Sequence, residues 1–214
     1  MSTVVQAGPR CRCDAHRVEI DLYWQAAQWL ALEHLRLVQN EQSIRADGLI
    51  VGSFAAAPLR LRYCVECDPD WRTTALRVID LTSDERIEIR RSTVGWHEPN
   101  GAEHPDLADA IDVDIAATPF TNTLPIRRNR IEIGQAAEVT VVYVGIRPRL
   151  SLRLARQRYT RLPSDARGSR YLYESLESDF RRELVIDSNG FVIDYPGVWR
   201  RATPPTEANS RGST

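Results

Sequence analysis

The chain has 214 residues, 43% of them hydrophobic and 27% charged, with 28 basic side chains against 29 acidic ones. Every basic residue is arginine. The absence of lysine excludes Schiff-base chemistry and the P-loop type of nucleotide hydrolysis, and leaves only planar, fork-shaped cations suited to carboxylate and phosphate.

At the N-terminus, Met1 to Arg12 carries no apolar stretch of a secretory leader, and no run of about 18 apolar residues occurs anywhere. The sequence therefore predicts a cytoplasmic protein without a membrane span. Residues 1–18 are expected to be a weakly ordered extension. Cys11 and Cys13, with Cys64 and Cys67, supply four thiols that a zinc site would need. The first pair is C-x-C in a weak tail and the pairs lie far apart in sequence. Free thiols in a reducing compartment are the favoured reading, with no metal and no cofactor.

Strand signals then dominate. Tyr23 to Leu35 contains good helix formers, but its Trp24, Trp29, Leu32 and Leu35 fit a strand pair equally well. Strands are expected at Leu32 to Gln39, Arg60 to Glu66, Thr74 to Leu81 and Tyr171 to Ser175, with Gly48 marking a turn. Arg86 to Arg90, Ala110 to Ile115 and Asn129 to Ile133 alternate apolar and polar residues, the mark of half-buried strands. Val139 to Ile146 is apolar on both faces and reads as a strand covered on both sides, or as a cavity wall. Leu150, Leu152 and Leu154 continue the alternation. Thr118-Pro119 suits the start of a short helix that Pro125 would end. A hairpin closes the pattern: Phe180 to Asp187, an Asn189-Gly190 turn, then Phe191 to Tyr195. The fold class is all-β: one highly curved antiparallel sheet, or incomplete barrel, of about ten strands with at most short helices. Residues 19–201 form the domain, and 202–214, poor in large apolar residues, form a disordered tail.

Charge is unevenly distributed. No basic residue falls between Arg91 and Arg127, while nine arginines lie from Arg127 to Arg161. Asp112 and Asp114 share a strand face. Their two-residue spacing suits an acid/base pair or metal ligands, and equally a salt bridge to Arg127 or Arg128. Arg147, Arg149 and Arg153 with Tyr159 could receive an anion. The balanced net charge argues against nucleic acid as a partner.

The run Asp112-Val113-Asp114 followed by Thr118-Pro119-Phe120-Thr121-Asn122-Thr123-Leu124-Pro125-Ile126-Arg127-Arg128 resembles the signature of the bacterial glycolipid-binding family long called a domain of unknown function. Trp29, Leu32 to Leu35, Tyr63, Asp68, Trp71-Arg72, Gly95-Trp96, Gln157 to Tyr159, Tyr171 to Glu174 and Asp187 to Arg200 match further blocks. The resemblance covers roughly residues 20 to 201. It implies a barrel-like sheet similar to that of lipoprotein carriers and, by analogy, binding of a glycolipid or other amphiphile. It carries no catalytic residues. The combined expectation is a ligand held by Trp96, Asp112, Asp114, Asn122, Arg127, Arg128, Tyr143, Arg147, Arg149 and Tyr159. Hydrocarbon would lie on Trp96, Tyr143 and the Val139 to Ile146 and Leu150 to Leu154 faces. A hydrolase-like enzyme acting through Asp112 and Asp114 is the alternative, and the oligomeric state stays open.

Overall fold

A computed structural model describes residues 17–203. The expected terminal extension and tail, with Cys11 and Cys13, lie largely outside the described residues. Fifteen strands form one sheet: β1 (Val18–Ala26), β2 (Ala31–Gln39), β3 (Ile44–Phe54), β4 (Ala57–Cys67), β5 (Thr73–Asp80), β6 (Glu85–Ser92), β7 (Gly95–His97), β8 (Glu103–His104), β9 (Asp112–Ile115), β10 (Ala136–Gly145), β11 (Ser151–Asp165), β12 (Gly168–Ser175), β13 (Arg181–Ile186), β14 (Val192–Tyr195) and β15 (Trp199–Ala202). Their order is β8-β7-β6-β5-β4-β3-β2-β1-β15-β14-β13-β12-β11-β10-β9. Consecutive strands are antiparallel hairpin neighbours on both sides of the β1–β15 pair, and only β9 runs parallel to its neighbour β10. The sheet is curved and does not close.

Two-residue periodicity sets the inner face. In β2, Ala31, Glu33, Leu35 and Leu37 are buried while Leu32, His34 and Arg36 are exposed. In β4, Leu59, Leu61, Tyr63, Val65 and Cys67 point inward. The outer face is tied by cross-strand ion pairs, among them Arg36–Glu19, Arg62–Asp47, Arg77–Glu88 and both Arg156 and Arg158 on Glu138. Much of the arginine-rich surface is thus charge pairing between neighbouring strands, each pair contributing little.

Four expectations are corrected. Gly48 is not a turn but lies within β3, because the Tyr63 ring on β4 occupies the space of a side chain there: a Cβ would come within 2.2 Å of the ring. Asn129 to Ile133 is not a strand. Asn129 ends a helix, α1 (Thr123–Asn129), and Arg130 takes a left-handed cap at φ 48°. Pro125 does not end α1, since it sits in the first turn, where a helix needs no N–H. The strand count is also higher than expected. β7, β8, β9, β14 and β15 are two to four residues long, too short for periodicity to register. Cys64 and Cys67 are three residues apart on β4, so their side chains point to opposite faces, which disfavours the shared zinc site considered from sequence. Burial pushes the Cys64 thiol up to about 11.

Candidate functional site

The connection from β9 to β10 fills the concave side of the sheet. After a turn at Ala116–Thr118, the chain makes a 3-10 turn (Phe120–Asn122) that runs into α1. Phe120, Leu124 and Ile126 are buried against the sheet. Polar contacts fix the segment to strands on both sides. Thr118 Oγ1 donates to Glu33 Oε1 on β2 at 2.6 Å, and the Tyr63 hydroxyl on β4 donates to the same oxygen. Thr121 Oγ1 donates to Asp114 at 2.9 Å, and the Tyr159 hydroxyl on β11 donates to Asn122 Oδ1 at 3.0 Å. Glu33 is fully buried. Desolvation pushes its carboxyl up to about 8, against the lowering effect of its two hydrogen bonds, and its Oε2 has no partner among the described residues.

At one end of this segment a cavity of about 430 Å3 opens. Its walls come from the 27–30 and 196–198 turns, the end of β3, and the inner faces of β9 to β12. Seven aromatic side chains line it: Trp29, Phe54, Tyr143, Tyr173, Phe180, Tyr195 and Trp199. Asp114, Asn122, Gln157, Arg153 and Arg182 add polar groups. The register explains the grouping. Tyr143 stands directly opposite Asp114 on β9 and Arg153 on β11, so all three share the inner face, and the Arg153 guanidinium lies 4.3 Å from the Tyr143 ring centre. Gln157 Nε2 donates to Asp114 at 2.6 Å. Burial raises the Asp114 carboxyl, while the Thr121 and Gln157 hydrogen bonds hold it down. The indole N–H groups of Trp29 and Trp199 are buried without a partner among the described residues. Aromatic faces interleaved with fixed amide and carboxylate groups, in a volume typical of small-molecule sites, can seat a compact polar ring and an apolar extension together.

A family model described as "Putative glycolipid-binding" matches residues 21–201. The chain belongs to this family. Its fold is similar to the crystal structure of a DUF1089 family protein from Pseudomonas aeruginosa, with a TM-score of 0.65 and 30% sequence identity over 94% of this chain and 100% of that one. None of the curated proteins compared matches the chain.

In this member of the glycolipid-binding family the ten residues expected at the site separate into distinct places. Asp114, Asn122 and Tyr143 line the cavity, and Tyr159 stands one layer behind, joined to Asn122. Asp112 does not face the cavity. It is fully buried in a two-point ion pair with Arg128, at 2.7 and 3.2 Å. Arg127 and Arg128 lie in a cleft at the other end of the segment. Trp96 is buried on β7, its Nε1 donating to the Ala110 carbonyl at 3.0 Å. Arg147 bonds Asp80 and the Pro58 carbonyl, clamping the β10–β11 loop to the β4 and β5 ends, and Arg149 is exposed in that loop. Leu152 and Leu154 face away from the cavity, because they share the strand parity of Val142 and Val144, while Arg153, Ala155 and Gln157 face it.

Arg153, which the sequence places among the arginines able to receive an anion, lines the cavity; no motif in the sequence points to Trp29, Phe54, Gln157, Tyr173, Phe180, Arg182, Tyr195 and Trp199 as lining residues, or to Glu33 behind the wall. One signal for Glu33 was present: it sits at the same strand parity as Leu35 and Leu37. An acid on an apolar face is a buried acid.

Proposed function

We propose that residues 19–201 act as one unit that binds an amphiphilic glycolipid in the aromatic cavity. The carrying observation is the lining itself: seven aromatic rings around Asp114, Asn122, Gln157 and Arg153 in about 430 Å3. Sugar hydroxyls find acceptors and donors on Asn122, Gln157 and Asp114, while the ring faces stack on the aromatic side chains. The alkyl part runs toward the mouth, where Phe180 is 38% exposed. The family description supports the same ligand class.

The enzymatic alternative through Asp112 and Asp114 is not favoured. Asp112 is buried and neutralised by Arg128, which leaves a single carboxylate in the cavity. The reading is tested by native mass spectrometry after incubation with a mixed glycolipid extract. A retained glycolipid in the unmodified protein, lost on Tyr143→Ala, is the expected outcome. Equal retention by the variant, or none by either protein, contradicts it.

A further inference from the structure

The opposite end of the buried segment carries a second cleft, of about 790 Å3. Five arginines line it: Arg72, Arg127, Arg128, Arg130 and Arg161. Two have carboxylate partners, Arg128 on Asp112 and Arg72 on Asp70. The other three have none among the described residues. Arg127 donates only to the Asn189 carbonyl, at 2.9 Å, with its guanidinium 4.8 Å from the Trp71 ring centre. Arg161 reaches the Ile131 carbonyl, the Tyr171 hydroxyl and Ser169 Oγ, all neutral, and its Nε is buried without a partner. Arg130 is exposed at the end of α1. The two acids lining the cleft are already engaged: Asp70 by Arg72, and Asp187 by Arg201 and the backbone N–H groups of Asn189 and Phe191.

The backbone is shaped around this cluster. Trp71 holds φ 65°, unusual for so bulky a residue, and thereby presents its ring to Arg127. Gly190, at φ 86°, leaves room for the Arg127 stem: a Cβ there would come within 2.5 Å of it. Desolvation and repulsion by Arg130 lower the pKa of Arg127, against a smaller opposing attraction from Asp187. An anion in the cleft would relieve that repulsion, and a guanidinium fork matches phosphate oxygens two at a time.

We propose that this cleft is a second binding site, taking an organic phosphate whose oxygens are received by Arg127, Arg130 and Arg161. The volume exceeds what a lone oxyanion fills and leaves space for the group that bears the phosphate.

The test uses the full chain at low salt, with two probes. Glycerol 3-phosphate is titrated calorimetrically, with glycerol as the control. Vesicles of phosphatidylcholine with and without phosphatidic acid are tested by co-sedimentation. Arg127→Gln and Arg130→Gln are each expected to weaken phosphate-dependent binding about tenfold, as for loss of a charged hydrogen bond. Arg130 is exposed, so its variant keeps the test valid should Arg127→Gln impair folding. Arginine-dependent binding of glycerol 3-phosphate supports the site with a soluble ligand. Arginine-dependent binding of the phosphatidic acid vesicles alone supports it with a lipid headgroup. Binding of neither probe, or binding that both variants retain in full, overturns it.

Discussion

Glu33 shows how one side chain reports on the site. Its carboxyl is buried between β2, β4 and the connecting segment, with one oxygen bonded to Tyr63 and Thr118 and the other unpartnered. Its ordinary value of 4.5 rises to about 8 in the folded protein. Between those two values the folded state holds a proton that the unfolded chain has released. On this group's account stability is full below pH 4.5, falls as pH rises toward 8, and is flat above. Urea unfolding at several values between pH 5 and 8 is expected to show this decline. Glu33→Gln should remove its share of the slope, because the amide does not titrate. Parallel slopes for the two proteins would contradict the assignment. The same residue marks what could be read from sequence: its parity with Leu35 and Leu37 was visible, but which groups would surround it depended on Thr118, a residue 85 positions away.

At the scale of elements, periodicity was a sound guide wherever one face is wet. β2, β4, β5 and β6 alternate because their outer residues pair with charges on neighbouring strands. Val139 to Ile146 reads from sequence as covered on both sides or as a cavity wall, and β10 is both. Val142 and Val144 are fully buried on one face, and Tyr143 lines the cavity from the other. β3 was obscured. Leu49 and Val51 are apolar yet exposed, and Gly48 resembles a turn signal. Its true reason is the Tyr63 ring stacked across it. Gly48→Ala is therefore expected to push that ring away and strain its bond to Glu33, destabilising the fold by about 1–3 kcal/mol, as overpacking does. Chemical denaturation measures this directly. An unchanged midpoint would show that the ring yields without cost. The short helix was also only partly legible: its start at Thr118-Pro119 was, but Pro125 as a first-turn residue reads the same as Pro125 as a terminator.

For the whole molecule, the open sheet is long enough to wrap around its own connection. Inserting Thr118–Arg128 into the concavity divides the interior into two ends of different chemistry. One is ringed by aromatic side chains, the other by arginines. The clustering of nine arginines after an acid-rich stretch was apparent from sequence, but its division was not. Arg156 and Arg158 face solvent and pair with Glu138, while Arg127 and Arg161 converge on the second cleft. Residues remote in sequence, such as Trp29, Tyr143 and Trp199, share the first cavity because the β1–β15 pairing joins the chain's two halves. No periodicity encodes that meeting.

The claim that the aromatic cavity holds both a sugar and the start of its alkyl chain is tested most directly by titrating the protein with alkyl glucosides of increasing chain length, kept below their micelle concentrations. Binding should be saturable and one-to-one, and should tighten about fourfold for each added methylene that enters the cavity, as burial of about 0.8 kcal/mol per CH2 requires. It should also perturb the fluorescence of Trp29 and Trp199. Affinity independent of chain length, or no saturable binding at all, would contradict the account.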